Sequence, residues 1–274
     1  MPSIDFNNRD EERAYYRSTG RPAGPATVES GSRQANCGGG RCRYDLLLPF
    51  EMGLPEPFPV LVLLHDHNRS PFNHRGTAEF LARLGVAVLM PEMTLRVDRT
   101  SHVATATAVA DHCRWLRTRA STPGDVLFER CDASKVALIG HGVGGAVALE
   151  AAIELQTHPD LPSLCGLLLM GVHKLPAAES VQRLQKPPVF LTVGVLSLRE
   201  DQAAAAANRP LHIDGNGSGR TAASRRERNV SRVQRCLSFD SVAVLLRGAT
   251  HNDFECQAAV ARNPKLLHQV RQAH

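Results

Sequence analysis

From residue 60 onward the chain repeats one alternation. Short runs of consecutive apolar residues are each followed by a stretch whose apolar positions lie three and four apart. Residues 60–65 (VLVLLH) and 86–90 (VAVLM) are the clearest runs, and continuous apolar character belongs to strands buried on both faces. Similar runs at 44–48, 135–139, 164–170, 188–193 and 241–246 predict further strands. Helical spacing predicts helices over 77–84, ending at Gly85, over 100–119 through Val103, Val109, Cys113 and Leu116, over 146–156, and over 178–185. Strands and helices in this alternation predict an α/β fold, a mostly parallel sheet with helices on both faces.

Two stretches break the pattern. Residues 1–43 hold six Gly, three Pro and seven Arg with little apolar periodicity, which predicts a disordered basic tail ahead of a domain spanning 44–274. Residues 208–229 are polar with three Gly, and the Gly/Arg-rich region near 208–235 reads as a surface insertion or lid. With 274 residues, 43% of them apolar, the chain has ample material for a core.

Charge refines this division. The net charge is +5, from 28 Arg and 4 Lys against 27 acidic residues. The tail carries seven Arg against five acids, and residues 199–235 carry eight Arg against four. The remainder is therefore close to neutral. This excludes a strongly nucleic-acid-steering composition, a collagen and a wholly disordered chain. Arg220, Arg225, Arg226, Arg228, Arg232 and Arg235 could form a surface for an acidic partner, but no aromatic residue is interleaved for stacking on bases. A solvated Arg-rich lid is the favoured reading, and nucleic acid is not an expected partner.

The seven cysteines are odd in number and lie mostly in apolar runs, which suits free thiols in a reducing compartment. Cys37 and Cys42 flank a Gly-Gly-Gly stretch and could form a redox pair or half a metal site, although no second pair follows at finger spacing. No apolar leader precedes the acidic start, and no apolar run approaches the ~20 residues of a membrane span. The expected location is intracellular, the cytoplasm, or a plastid if the tail is a transit segment.

The most specific feature is KVALIGHGVGGAVALEAA at 135–152. A buried strand enters a Gly-rich turn and leaves directly into a helix, the context of a nucleophile elbow, G-x-S-x-G. Gly140 and Gly144 stand at the flanking positions, and Gly142 stands where the nucleophile belongs. Gly140, Gly142 and Gly145 also match a dinucleotide fingerprint, but several strands precede them and Glu150 and Glu154 fall on the helix itself.

With these residues in view, the sequence resembles the α/β-hydrolase family over about residues 44–262, in its esterase-like branch with chlorophyllases and polyester hydrolases. PFPVLVLLHDHNRS resembles the strand and oxyanion loop, GVAVLMPE the next strand, and IGHGVGGAVALEAA the elbow. PPVFLTVGVLSL and VAVLLRGATHNDF resemble the acid-bearing strand and the histidine loop. The resemblance implies that His251 holds the catalytic-base position. It places Gly142 at the nucleophile position and Ser197 at the acid position, both substituted. Asp66, His67 and Val143 fall at the oxyanion hole and pocket, with Asp66 where glycine is usual. Glu200 or Asp201 could replace the acid after a small loop shift.

Loss of a nucleophile alone typically removes about 10⁶ in kcat. The expectation is a non-catalytic or severely impaired member that binds a small apolar or ester ligand. Two alternatives stay open. One is an active hydrolase using Ser70, Cys165 or a histidine-activated water. The other is a scaffold acting through the arginine segment. No cofactor is implied, and the oligomeric state is open. His65, Asp66, His67, His141 and His251 are suitable metal-ligand types that could gather above the sheet, against a plainer reading as packing histidines.

Overall fold

The computed structural model describes residues 26–34, 41–49, 57–67, 69–93, 99–172, 178–196, 242–247 and 254–255. Eight strands form one sheet: β1 (Ala26–Gln34), β2 (Arg41–Pro49), β3 (Phe58–Leu64), β4 (Ala87–Pro91), β5 (Cys131–His141), β6 (Ser163–Met170), β7 (Val189–Leu196) and β8 (Val242–Arg247). The helices are α1 (Arg75–Arg83), α2 (Arg99–Ala120), α3 (Val143–Thr157) and α4 (Ala178–Gln182), with a 3₁₀ turn at Pro71–His74.

Strand order is β1-β2-β4-β3-β5-β6-β7-β8. β2 runs antiparallel to both β1 and β4, and the pairs from β4 to β8 are parallel. The continuous apolar runs have the predicted consequence. On β3, Val60, Val62 and Leu64 face a large core with α2 and α3, while Leu61 and Leu63 face a smaller one with Ala78 and Ala82 of α1. β4 divides in the same way, Leu89 to one side and Met90 to the other. The mostly parallel sheet with helices on both faces is thus present.

Part of the segment expected as a 1–43 tail forms strands instead. Residues 26–34 form β1, and 41–43 open β2; residues 1–25 lie outside the described set. The polar residues there are used in pairing. Glu29 on β1 takes two hydrogen bonds from the Arg119 guanidinium of α2, at 2.6 and 2.9 Å, and one from the Tyr44 hydroxyl at 2.8 Å. Arg33 and Arg119 both lie over the Trp115 ring, at 5.3 and 5.0 Å from its centroid. Gly31 leaves room for Tyr44, whose ring and hydroxyl a side chain there would overlap. Among the described residues no helix is long and apolar enough to cross a membrane. The 208–235 insertion lies outside the described residues.

Candidate functional site

β5, β6 and α3 build the elbow. The Gly142 N–H donates to the Met170 carbonyl at 2.9 Å, so β5 stays joined to β6 up to the turn. Gly142 then adopts φ 58° and ψ −118°, a conformation costly for a residue with a side chain. The chain enters α3 at once. The flanking glycines are steric necessities: a side chain at Gly140 would overlap the Gly144 carbonyl, and one at Gly144 would overlap the His65 carbonyl. The turn inferred from the spacing is therefore present, with its sharp backbone intact and no nucleophilic side chain on it.

Asp66, just beyond β3, fills the space. It is buried, and its Oδ1 accepts the Val143 N–H at 2.7 Å. A Cβ built on Gly142 would overlap this carboxylate. In an elbow of this kind the N–H of the residue after the nucleophile belongs to the oxyanion hole. Here a fixed anion already accepts from it. Gly142 offers α3 no side-chain cap, so Asp66 performs the capping from another strand, with its charge at the positive end of the helix.

His65 fixes the loop that carries Asp66. Its Nε2 accepts the Met93 N–H at 3.1 Å, which leaves the proton on Nδ1, facing the Asp66 carbonyl at 2.8 Å. Burial holds the imidazole below its ordinary pKa, and it stays neutral. Both ring nitrogens are engaged by the backbone. His141 is fully buried, its ring against His74 at 5.1 Å and Phe254 at 5.5 Å between centroids. Among the described residues no cluster of three His, Cys, Asp or Glu is placed to hold a metal ion. His67 is half-buried in the turn after Asp66.

The spare nucleophiles fare differently from the elbow residues. Ser70 is exposed, and its hydroxyl accepts the Phe72 N–H to cap the 3₁₀ turn. Cys165 lies near the amino end of β6, where Leu164 pairs with Val136, whereas the elbow follows the carboxyl end of β5. Burial also raises its thiol pKa, disfavouring the thiolate. Of the proposed redox pair, Cys42 lies on β2 and Cys37 lies outside the described residues. Ser197, Glu200, Asp201, His251 and the arginine segment also lie outside the described residues.

Residues that the sequence did not single out join the site. Glu255 is buried; its Oε2 accepts from Asn73 Nδ2 at 2.9 Å, and its Oε1 lies 3.2 Å from Arg69 Nε. Together with the Phe254–His141 contact, this anchors the end of the GATHNDFE stretch beside the loop following β3. The only advance signal was the density of polar residues in both stretches. A separate cavity of about 470 Å³ opens beside β1 and β2, lined in part by Ser30, Arg43, Asp45, Phe72 and Glu92; neither Asp66 nor Gly142 is in its wall.

The strand order, the antiparallel β2 and an elbow at the carboxyl end of a central strand define the α/β-hydrolase fold. Comparison with solved structures agrees. The chain is similar to a dienelactone hydrolase from Anabaena variabilis, with 18% identity over 86% of this chain and 93% of that one, and a TM-score of 0.56. No protein-family model and no curated protein matches the sequence.

Proposed function

We propose that this is a non-catalytic α/β-hydrolase-fold protein that holds a small apolar or ester ligand without cleaving it. One observation carries the reading: where an ester hydrolase needs a nucleophile, the chain has Gly142, with the Asp66 carboxylate in the space beside it. Nucleophilic acyl transfer requires a hydroxyl or thiol bonded to a base, and N–H donors aimed at a developing oxyanion. Gly142 supplies no attacking atom. Asp66 presents a negative charge to the Val143 N–H that the oxyanion would need. The Ser197 assignment, which removes the orienting acid, points the same way.

The ligand part of the reading rests on the fold. Open α/β sheets bind ligands beyond the carboxyl ends of their strands. His74, His141 and Phe254 gather rings beside that end of β5. An ester would lie with its carbonyl outside the elbow, because the carboxylate of Asp66 holds the anion position. Within this reading the esterase-like branch of chlorophyllases and polyester hydrolases is the parent form, and His251 is its retained base. The test is hydrolysis of p-nitrophenyl acetate and butyrate by the wild type and His251→Ala. Both proteins are expected at the buffer rate. Wild-type turnover abolished by His251→Ala would overturn the reading.

A further inference from the structure

We infer that the elbow is a binding site for a small carboxylate and that its resident ligand is the chain's own Asp66. This deepens the non-catalytic reading, on which it rests, because it states what closes the site. Three independent observations converge. The carboxylate is more than nine-tenths buried, so a specific environment must compensate its lost hydration. Its Oδ1 accepts from Val143, the first residue of the 15-residue α3, where unpaired N–H groups and the helix dipole favour an anion. The backbone opposite is a glycine whose Cβ would occupy the carboxylate's position.

The fit is reciprocal. Gly142 makes room for the carboxylate, and the carboxylate supplies the cap that Gly142 lacks. His65 fixes the adjoining backbone through the Asp66 carbonyl and the Met93 N–H, so the carboxylate is presented with little freedom to leave. Tethered in this way, it excludes a free acid or an ester carbonyl from the same N–H by its high effective concentration. The elbow thus remains an anion receptor, occupied internally.

The experiment empties the receptor and refills it from solution. Asp66→Gly is expected to lower Tm by about 5 °C, through loss of a buried charged hydrogen bond. Sodium acetate or formate at millimolar concentration should restore much of that loss along a saturating curve, while sodium chloride of equal ionic strength should not. Acetate acting no differently from chloride would overturn the inference. Should Asp66→Gly fail to fold, the wild-type protein supplies a second measurement. The Val143 amide proton should shift in one step as acid protonates its carboxylate partner, and Asp66→Asn should abolish that step. A Val143 amide indifferent to acid, or a step persisting in Asp66→Asn, would also overturn it. These outcomes are separable from ester turnover, which tests the non-catalytic reading alone.

Discussion

The molecule accommodates a carboxylate in two contrasting ways. On the β1 edge, Glu29 meets charge with charge: Arg119 grips it twice, Tyr44 donates to it, and it remains partly exposed. The Arg119 hydrogen bonds hold the Glu29 carboxyl below the usual carboxylate range, with the Tyr44 hydrogen bond adding to them against burial. At the elbow, Asp66 is more deeply buried and accepts from a backbone N–H at a helix start. The first arrangement joins an edge strand to a helix. The second occupies the position where the fold would perform chemistry. A buried carboxylate is therefore informative through its partner: a guanidinium suits assembly, whereas an elbow N–H bears on function.

The largest expected effect breaks the elbow. Gly142→Ser places a side chain in the Asp66 carboxylate and on a backbone with φ of 58°. Denaturant unfolding should show a loss of about 3 kcal/mol or more, and ester hydrolysis should not appear. Asp66→Gly combined with Gly142→Ser should recover part of that stability, because the overlap is gone. A stable Gly142→Ser protein would mean that the carboxylate is readily displaced.

A comparable effect concerns acid, close to the edge cluster. His112 is buried on α2 beside Trp115, and burial, with the nearby Arg33 charge, pushes its pKa down to about 4 against Asp111, which raises it. Its folded value lies below the ordinary 6.5, so the unfolded chain binds the proton more readily. The His112 contribution is unchanged above about pH 6.5 and disfavours folding increasingly from there toward pH 4, by about 3 kcal/mol in all. Unfolding free energies between pH 7 and 4.5 should fall less steeply in His112→Leu; identical slopes would remove this account.

Arg119→Ala should cost about 2 kcal/mol in urea unfolding, through Glu29, Asp125 and the Trp115 face. It should also increase proteolysis within β1, which sharpens the contrast by affecting the edge and leaving the elbow in place. Glu255→Gln should have the smallest effect, roughly 1 kcal/mol or less. It keeps an acceptor for Asn73 and loses only the charge facing a partly exposed Arg69.

The strands buried on both faces were legible because their runs are apolar throughout: Leu61 and Leu63 serve one core, Val60 and Val62 the other. β1 was not, because an edge strand with alternating exposed and half-buried residues resembles a polar tail until its partners are known. The elbow was legible because strand, glycine spacing and helix are contiguous. The engagement of Asp66 was not, because its partner Val143 lies 77 positions away. Glu255 and Asn73 are separated by 182 positions, which hides their contact from local pattern reading.

The most direct test of the account is a double-mutant cycle on Asp66 and Gly142, read by equilibrium unfolding of the wild type, Asp66→Gly, Gly142→Ala and the double variant. The account predicts that Gly142→Ala destabilises the wild type by at least about 1 kcal/mol more than it destabilises Asp66→Gly. Effects that add to within about 0.5 kcal/mol would show that the carboxylate does not occupy the elbow.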